Sequence, residues 1–205
     1  MDFVAIDFET ATSGEKGICS MGICVVTNNK VTQTKEILIK PDPFEFDERN
    51  IKIHQITPDM VIDKPTFDKY YNEIFPYLND RIIVAHNASF DVGCLINTLT
   101  HFNLEFPTFK YICTVKLSQK AYPELESHKL NNLAKALGVD FSHHRAGDDA
   151  YACAMVLIRI LKDFNLKTLS DIEKKFEIGI GHVYPGYHLP CSKNKKKTKK
   201  KDKNQ

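Results

Sequence analysis

Residues 3–12 read FVAIDFETAT, and four apolar residues in this stretch run directly into Asp7, Phe8 and Glu9. The apolar run predicts a buried strand over residues 2–7. Side chains two residues apart lie on the same face of a strand, so Asp7 and Glu9 share one face and Phe8 points to the other. An isolated DxE pair usually marks a strand end that emerges into solvent, so its meaning depends on the rest of the chain.

Apolar patterns further along the chain predict an α/β fold, with a mixed sheet flanked by helices. The Asn-rich turn TNNKV joins two of the predicted strands, which indicates an antiparallel hairpin at one edge of the sheet. Residues 41–65 are predicted to form a long loop with at most a short helix. The predicted strands are 2–7, 19–27, 31–39, 81–86 and 110–117. The predicted helices are 66–78, 88–102, 129–139 closed by Gly138, 146–164, and 168–176 capped by Thr168 or Ser170.

The length of 205 residues predicts one folded domain with its own hydrophobic core. Apolar residues make up 42% of the chain and charged residues 26%, which is typical of soluble globular proteins. No apolar run is long enough to span a membrane, and the N-terminus does not resemble a signal peptide. We therefore expect a cytoplasmic protein with no membrane partner.

The six cysteines form no CxxC pair, and their spacings are irregular. This pattern argues against a zinc cluster, and the length of the chain argues against a fold built on disulfides. Most of the cysteines lie among apolar residues, where a free thiol behaves as a small hydrophobic group. We therefore expect reduced cysteines in the core.

The last residues are much more basic than the rest of the chain. Residues 192–205 contain eight lysines and one aspartate, which leaves 20 basic and 25 acidic residues, a net charge of −5, in residues 1–191. A segment this polar cannot bury enough apolar area to fold alone. We predict a folded domain over residues 1–185 and a disordered Lys-rich tail over residues 186–205. A contact of the tail with phosphates, independent of base sequence, is one functional interpretation.

Two further segments place acids where helices begin. HNASFD puts Asp91 directly after a predicted strand, and HRAGDD puts Asp149 at the start of the long helix. Either acid could simply interact favourably with the dipole of its helix. Asp149, however, lies on the apolar stripe that continues to Ile160, so it is predicted to face inward, where an acid needs a partner.

Four inward carboxylates would repel one another, and each would have a raised pKa. A divalent cation removes this repulsion, and hard oxygen ligands suit Mg²⁺ or Mn²⁺ rather than zinc. Two such ions about 4 Å apart can hold the attacking and leaving oxygens of a phosphodiester. The acids therefore predict a site for two Mg²⁺ ions, for which Mn²⁺ can substitute.

The motifs DFET, HNASFD and HRAGDDA, in this order and at suitable intervals, resemble those of the DnaQ-like exonuclease family in its DEDDh branch. The likeness extends to about residue 160 and includes KIHQIT before the second motif. The proofreading epsilon subunit of bacterial DNA polymerase III is a member of this family. The resemblance implies an exonuclease domain over residues 1–185 with a ribonuclease-H-like sheet flanked by helices. It also implies hydrolysis of nucleic acid from the 3′ end to nucleoside 5′-monophosphates.

The resemblance also implies roles for individual residues. His144 is the implied general base that activates the attacking water, because the spacing HxAxxD selects it over His143. Histidine titrates near neutral pH and can accept a proton there. The implied metal ligands are Asp7, Glu9, Asp91 and Asp149.

Substrate contacts are implied for six residues near the motifs. His86 is also open to a second interpretation, as a strand-end histidine that is hydrogen-bonded in the core. Many members of the family have glycine where this chain has Gln55, which leaves the geometry of that loop open. The implied substrate-binding residues are Phe8, Thr10, Ile53, His54, His86 and Asn87.

The predicted substrate is single-stranded nucleic acid with a 3′ end, and DNA is favoured. An RNA-trimming enzyme similar to RNase T or to an oligoribonuclease is the enzymatic alternative, and contacts with the 2′-hydroxyl would distinguish the two. Alternatives of other classes are a non-catalytic nucleic-acid-binding module and a subunit associated with a DNA polymerase or with a replication or repair complex. The complete set of four acids and a histidine favours the enzyme, because a non-catalytic module has no need for a repulsive cluster.

Overall fold

The computed structural model describes residues 1–14, 17–139 and 145–193. The described strands are β1 (Phe3–Thr10), β2 (Ile18–Thr27), β3 (Lys30–Leu38), β4 (Arg81–Ala85), β5 (Phe109–Cys113), β6 (Gly181–Tyr184) and β7 (Tyr187–Leu189). The described helices are α1 (Glu48–His54), α2 (Pro58–Val61), α3 (Phe67–Leu78), α4 (Ala88–His101), α5 (Thr114–Ala121), α6 (Leu130–Ala136), α7 (Ala146–Asp163) and α8 (Leu169–Phe176).

The strands form one mixed sheet in the order β3-β2-β1-β4-β5-β6-β7. β1 pairs antiparallel with β2 and parallel with β4, and β5 is parallel to β4. The predicted hairpin is confirmed, since β2 and β3 are antiparallel and joined at Asn28 and Asn29, whose φ values of 52° and 59° suit a type I′ turn. The carboxyl ends of β1, β4 and β5 therefore lie at the same edge of the sheet, which we call the carboxyl edge.

Helices cover both faces of the sheet, and the alternation of β1 divides its side chains between them. Val4, Ile6 and Phe8 belong to a hydrophobic cluster with residues of α3 and α4. Phe3 and Ala5 belong to a second cluster with residues of α5 to α8. α7 packs across β1, β2 and β3 on this second face. The face of β1 that carries Phe3 and Ala5 is also the face expected for the acids that follow them.

The predicted strand over residues 110–117 is wrong in its second half. β5 ends at Cys113, and α5 begins at Thr114. Ala85 and Cys113 form the last pair between β4 and β5, so no neighbouring backbone continues beyond that point. The buried residues of α5 also recur at helical spacing, at Leu117 and Ala121. The chain therefore turns into a helix that starts at the carboxyl edge.

Ordered structure continues beyond the predicted domain boundary at residue 185. β7 pairs with β6, and Ser192 exchanges backbone hydrogen bonds with Gly179 over 2.9 and 3.0 Å. The folded part therefore includes residues up to Ser192. Of the tail predicted to be disordered over residues 186–205, residues 194–205 lie outside the described residues, and there the disorder stays a prediction.

All six cysteines are buried as free thiols. Within the described part of the chain, none of the helices combines the length and the apolar character that crossing a membrane requires.

Candidate active site

Three carboxylates meet where β1 ends. Asp7 and Glu9 share a face of β1, and Asp149 lies in the first turn of α7, which packs on β1. One carboxylate oxygen from each of the three residues lies within 4.8 Å of the other two. Asp149 is only 4% exposed, which confirms its predicted inward orientation. Residues far apart in the chain thus form one acidic cluster.

A glycine lets α7 approach the sheet closely at this point. Gly22 of β2 pairs with Asp7 of β1, and a β carbon at residue 22 would lie 1.8 Å from the carbonyl oxygen of Ala146. Any side chain there would push the first turn of α7 away from the sheet. The absence of one allows Asp149 to lie beside Asp7 and Glu9.

An ion pair also joins the start of α7 to β3. Arg145 donates a hydrogen bond from Nη2 to Oε2 of Glu36 over 2.7 Å. Ser20 of β2 lies 3.4 Å from the other oxygen of the same carboxylate and donates to it. These contacts hold the residue that precedes α7 against the sheet.

The fourth predicted acid, Asp91, is held by the backbone of β1. It is 2% exposed, and its Oδ1 accepts a hydrogen bond from the N–H of Phe8 over 3.2 Å. Phe8 lies between Asp7 and Glu9, so this bond fixes Asp91 at the end of β1. The group within 4.8 Å comprises the other three acids and does not include Asp91.

Burial and mutual repulsion raise the pKa values of these acids. The pKa of Asp7 lies well above its usual value because of burial, and then because of the charges of Asp91, Asp149 and Glu9. Burial, followed by the charges of Asp149 and Glu36, raises the pKa of Glu9 to about 7. Burial also raises the pKa of Asp91, and this effect outweighs the lowering by its hydrogen bond from β1. The cluster therefore carries its full negative charge only at a free-energy cost.

The donor set fits a hard divalent cation. The cluster offers carboxylate oxygens close enough to share one ion, and burial and the mutual repulsion of the acids raise the pKa values of Asp7 and Glu9. Mg²⁺ and Mn²⁺ prefer such oxygen ligands, whereas zinc sites usually include histidine or cysteine.

A separate group of contacts shapes the turn after β1. The carbonyl oxygen of Thr10 accepts hydrogen bonds from Asn50 Nδ2 over 2.7 Å and from His54 Nε2 over 3.2 Å. The Nδ1 atom of His54 accepts from the N–H of Ile56 over 3.0 Å, which selects the neutral tautomer with its proton on Nε2. The buried His54 thus holds Thr10 in place, while the neighbouring Ile53 is 46% exposed.

A cavity of about 850 Å³ opens at the acidic cluster, which is in the size range of small-molecule sites. All four acids line it, and so do three of the predicted substrate residues, Phe8, His86 and Asn87. The other three, Thr10, Ile53 and His54, do not line it. The ring of His86 lines the cavity, and its Nδ1 lies 2.9 Å from the hydroxyl of Thr114, so a hydrogen bond of the kind that the second interpretation expects is present. A contact of His86 with substrate stays a prediction.

Several residues of the cavity lining were not predicted from the sequence. Phe90 lies within HNASFD next to Asp91, so its motif offered a signal. Gln119 of α5 and Lys129, just before α6, come from segments whose approach to the acids depends on the tertiary fold. The side-chain oxygen of Gln119 is buried and has no hydrogen-bond partner among the described residues. A ligand in the cavity could supply the missing donor.

His143 and His144 lie outside the described residues. The predicted role of His144 as general base therefore stays a prediction.

Comparison with protein families gives a match over most of the chain. A family model described as an exonuclease, RNase_T, matches residues 4–157. The 3′-5′ exonuclease DinG of Staphylococcus haemolyticus is 28% identical over 190 residues, which are 91% of this chain and 21% of that protein. The PolC-type DNA polymerase III of Thermotoga maritima is 33% identical over 181 residues, which are 84% of this chain and 13% of that protein. The chain thus spans about a fifth or less of the length of these relatives.

Solved structures show the same architecture. Exonuclease X in complex with 5′ overhanging duplex DNA superimposes with a TM-score of 0.68 at 28% identity, covering 84% of this chain and 98% of that one. The nuclease domain of 3′hExo, a DEDDh family member bound to rAMP, superimposes with a TM-score of 0.70 at 18% identity, covering 82% of this chain and 94% of that one. The predicted ribonuclease-H-like fold and the resemblance to DEDDh exonucleases are confirmed.

Proposed function

Since the chain belongs to the RNase T family of exonucleases, we propose that it is a metal-dependent 3′-5′ exonuclease acting on single-stranded nucleic acid, with DNA favoured over RNA. The observation that carries this proposal is the cluster of Asp7, Glu9 and Asp149 beside Asp91 at a cavity of about 850 Å³. A binding module without catalytic activity would gain nothing from acids whose pKa values are raised by burial and repulsion.

The four acids are the proposed ligands of two Mg²⁺ ions, for which Mn²⁺ can substitute. Bound ions of this kind neutralise the carboxylates, polarise the phosphate and lower the pKa of a water molecule. Asp7, Glu9 and Asp149 offer oxygens close enough to share an ion. Asp91 is held at the end of β1 by the N–H of Phe8, so its position depends on the same strand as the first two acids.

His144 is the proposed general base. It takes a proton from the attacking water, whose oxygen bonds to the phosphorus of the last nucleotide. The bond from that phosphorus to the O3′ atom of the preceding nucleotide breaks, and O3′ takes up a proton as it leaves. The products are a nucleoside 5′-monophosphate and a strand shortened by one nucleotide, again with a 3′-hydroxyl.

The remaining residues position the terminal nucleotide in this proposal. Phe8, His86 and Asn87 lie in the lining beside the acids and are placed to contact it. Thr10 and Ile53 are further proposed contacts, although neither of them lines the cavity. His54 acts through Thr10, because it is buried and hydrogen-bonded to the carbonyl oxygen of that residue.

A DNA polymerase, or a replication or repair complex, is the proposed protein partner. The support is that several relatives are PolC-type DNA polymerases, in which this sequence corresponds to a small part of the whole protein.

The experiment compares wild type with Asp7→Asn on 5′-labelled single-stranded DNA and RNA, in Mg²⁺, Mn²⁺ or EDTA. We expect wild type with either metal to give a descending ladder of products, faster on DNA, and the variant or EDTA to give none. Loss of the label as a mononucleotide at the outset would indicate 5′ to 3′ degradation. A ladder that persists in Asp7→Asn would exclude the proposed site, and faster cleavage of RNA would favour the RNA-trimming alternative.

A further inference from the structure

One wall of the cavity comes from α5 and from the segment that joins it to α6. Val115 and Gln119 of α5 belong to the lining, and so do all of residues 126–131. The four clustered acids come instead from β1, α4 and α7. Of the described residues that line the cavity, Lys129 alone is a lysine or an arginine. This wall therefore brings a positive charge to a cavity that is otherwise acidic.

Lys129 lies between two residues that are anchored to the fold. On one side, Nδ1 of His128 lies 3.0 Å from the hydroxyl of Ser118, a buried residue of α5. On the other side, Leu130 is 5% exposed and packs in the hydrophobic cluster that covers the second face of the sheet. The side chain of Lys129 itself is exposed. The backbone at residue 129 is thus held in place, while the charged side chain stays accessible from the cavity.

The ammonium group of Lys129 is not neutralised by the acids around it. Lys129 lines the cavity together with five acidic residues, the four of the cluster and Glu126, and it forms an ion pair with none of the five. Its charge is therefore available to an anion that enters the cavity. A lysine ammonium is a compact point charge on a flexible stem, which suits it to contact a phosphate without a fixed geometry.

The proposed reaction limits which phosphate this can be. The phosphate that is cleaved has to lie at the metal ligands, where bound ions neutralise its charge. That phosphate joins the last two nucleotides of the strand, so every other linkage lies on its 5′ side. Lys129 lines the same cavity but does not pair with the ligands. The phosphate next to the cleaved one is therefore the anion that best matches its position.

We propose that Lys129 binds the phosphate that follows the cleaved one on its 5′ side and so positions the strand for removal of the last nucleotide. This inference rests on the proposed exonuclease function, and it adds a preference for substrate length. A dinucleotide has a single linkage, the one that is cleaved, so it offers nothing to Lys129. Substrates of three or more nucleotides gain the contact, and they gain it whatever their bases, since a phosphate carries no sequence information.

The test compares wild type with Lys129→Gln, which removes the charge, and with Lys129→Arg, which keeps it. Lys135→Gln is the matched control, because Lys135 is an exposed lysine of α6 that does not line the cavity. The substrates are a thymidine dinucleotide, a thymidine trinucleotide, and a trinucleotide whose linkage nearest the 5′ end is a neutral methylphosphonate. Initial rates of the first cleavage in Mg²⁺ give kcat/KM for each pair of enzyme and substrate.

We expect Lys129→Gln to lower kcat/KM for the trinucleotide about tenfold, as for the loss of one hydrogen bond to a charged group, and to leave the dinucleotide unaffected. The methylphosphonate should slow wild type to a similar extent and should not slow Lys129→Gln further. Lys129→Arg and Lys135→Gln should behave as wild type. An unchanged rate of Lys129→Gln on the trinucleotide would overturn the proposal, and so would an equal loss on the dinucleotide.

A binding measurement separates this inference from the exonuclease function. In EDTA, fluorescence anisotropy of a labelled single-stranded oligonucleotide gives the salt dependence of binding without cleavage. The log–log slope should be smaller by about 0.7 in Lys129→Gln, which has one phosphate contact fewer, and unchanged in Lys135→Gln. If no form of the protein cleaves any substrate, the exonuclease function fails. Equal slopes in Lys129→Gln and wild type would overturn the role of Lys129 even if cleavage is observed.

Discussion

The backbone N–H of Phe8 donates a hydrogen bond to Oδ1 of Asp91 over 3.2 Å. This bond joins the middle residue of the Asp7-Phe8-Glu9 sequence to the first turn of α4. Asp91 therefore has two separable properties, a negative charge next to the other acids and an acceptor for the backbone of β1.

Two substitutions at Asp91 separate these properties. Asp91→Asn keeps an acceptor oxygen and removes the charge, whereas Asp91→Ala removes both and leaves the N–H of Phe8 without its partner. We expect both variants to lose activity by at least about a hundredfold, as expected when a stabilising charge is removed from a catalytic site. Only Asp91→Ala should lose about 1–3 kcal/mol of unfolding free energy, the cost of an unsatisfied buried donor. Urea denaturation of metal-free protein provides the measurement, and equal destabilisation of the two variants would show that the bond does not hold the strand.

The raised pKa values predict that metal-free protein becomes more stable as the pH falls. The pKa of Glu9 is about 7 in the folded state and 4.5 ordinarily. Between these values the native state binds a proton that the unfolded state does not, so the free energy of unfolding rises as the pH is lowered through this window. Asp149→Asn should reduce the effect, because the charge of Asp149 raises the pKa of both Asp7 and Glu9.

We therefore expect metal-free Asp149→Asn to be more stable than wild type at pH 8, by about 1.4 kcal/mol for each unit of raised pKa that it removes. The difference should shrink by pH 5, and Mg²⁺ should stabilise wild type more than the variant. Thermal denaturation at pH 8 and at pH 5 measures this difference in stability, and Asp148→Asn is the control at the neighbouring residue. A variant less stable than wild type at pH 8 would contradict the repulsion that we infer.

Strong local patterns made much of this fold predictable. Three of these patterns involve residues close together in the sequence: the apolar run before Asp7, the Asn-rich turn and the apolar stripe of α7. The structure confirms the strand, the turn and the helix that they predict. β6 and β7 have only four and three residues, too few for a period to be recognised. The backbone hydrogen bonds between Gly179 and Ser192 depend on tertiary structure, so the sequence placed the end of the folded part too early, at residue 185.

The acids of the site were predictable for a similar reason, since strand and helix periodicity already orients Asp7, Glu9 and Asp149. The environment of His54 was not predictable from the sequence. Its hydrogen bond to the carbonyl oxygen of Thr10 crosses 44 residues, and sequence spacing carries no information about it.

Gly22→Ala, a substitution in β2, should disrupt the acidic cluster at the end of the neighbouring strand β1. The new methyl group would collide with the carbonyl oxygen of Ala146 and displace the first turn of α7, which carries Asp149. We expect a loss of about 1–3 kcal/mol of unfolding free energy, and a fall of about a hundredfold in activity from displacement of a catalytic group. The measurements are urea denaturation and Mn²⁺ binding by titration calorimetry.

Gly181→Ala is the matched control for this steric effect. Its β carbon would lie 2.2 Å from the ring of Tyr111, away from the acids. It should destabilise the fold without weakening Mn²⁺ binding. Equal Mn²⁺ affinity in Gly22→Ala and wild type would show that α7 tolerates the methyl group.

The two adjacent histidines predict contrasting kinetics. We expect His144→Ala to lose at least about a hundredfold in kcat, as removal of a general base typically does. His143→Ala should retain most of its activity. Single-turnover assays at saturating Mg²⁺ compare the two variants. Equal losses of activity would contradict the assignment of His144 as the general base.

The cap of α8 gives a prediction about stability alone. Thr168 Oγ1 accepts from the N–H of Asp171 over 3.2 Å, and the Asp171 carboxylate accepts from the N–H of Thr168 over 2.9 Å. Thr168→Ala should therefore cost about 1 kcal/mol of unfolding free energy, whereas Ser170→Ala, the other cap candidate, should cost little. Chemical denaturation distinguishes them, and activity at low temperature should be unchanged in both.

The acids of the site are spread along the chain, and this has a consequence during translation. Asp7 and Glu9 leave the ribosome before Asp149, which follows Glu9 by 140 residues. Folding of nascent chains proceeds as segments emerge, so β1 must wait for α7 before the acidic cluster is complete. A growing polypeptide therefore lacks one wall of the proposed catalytic centre while it is still close to the messenger RNA being read.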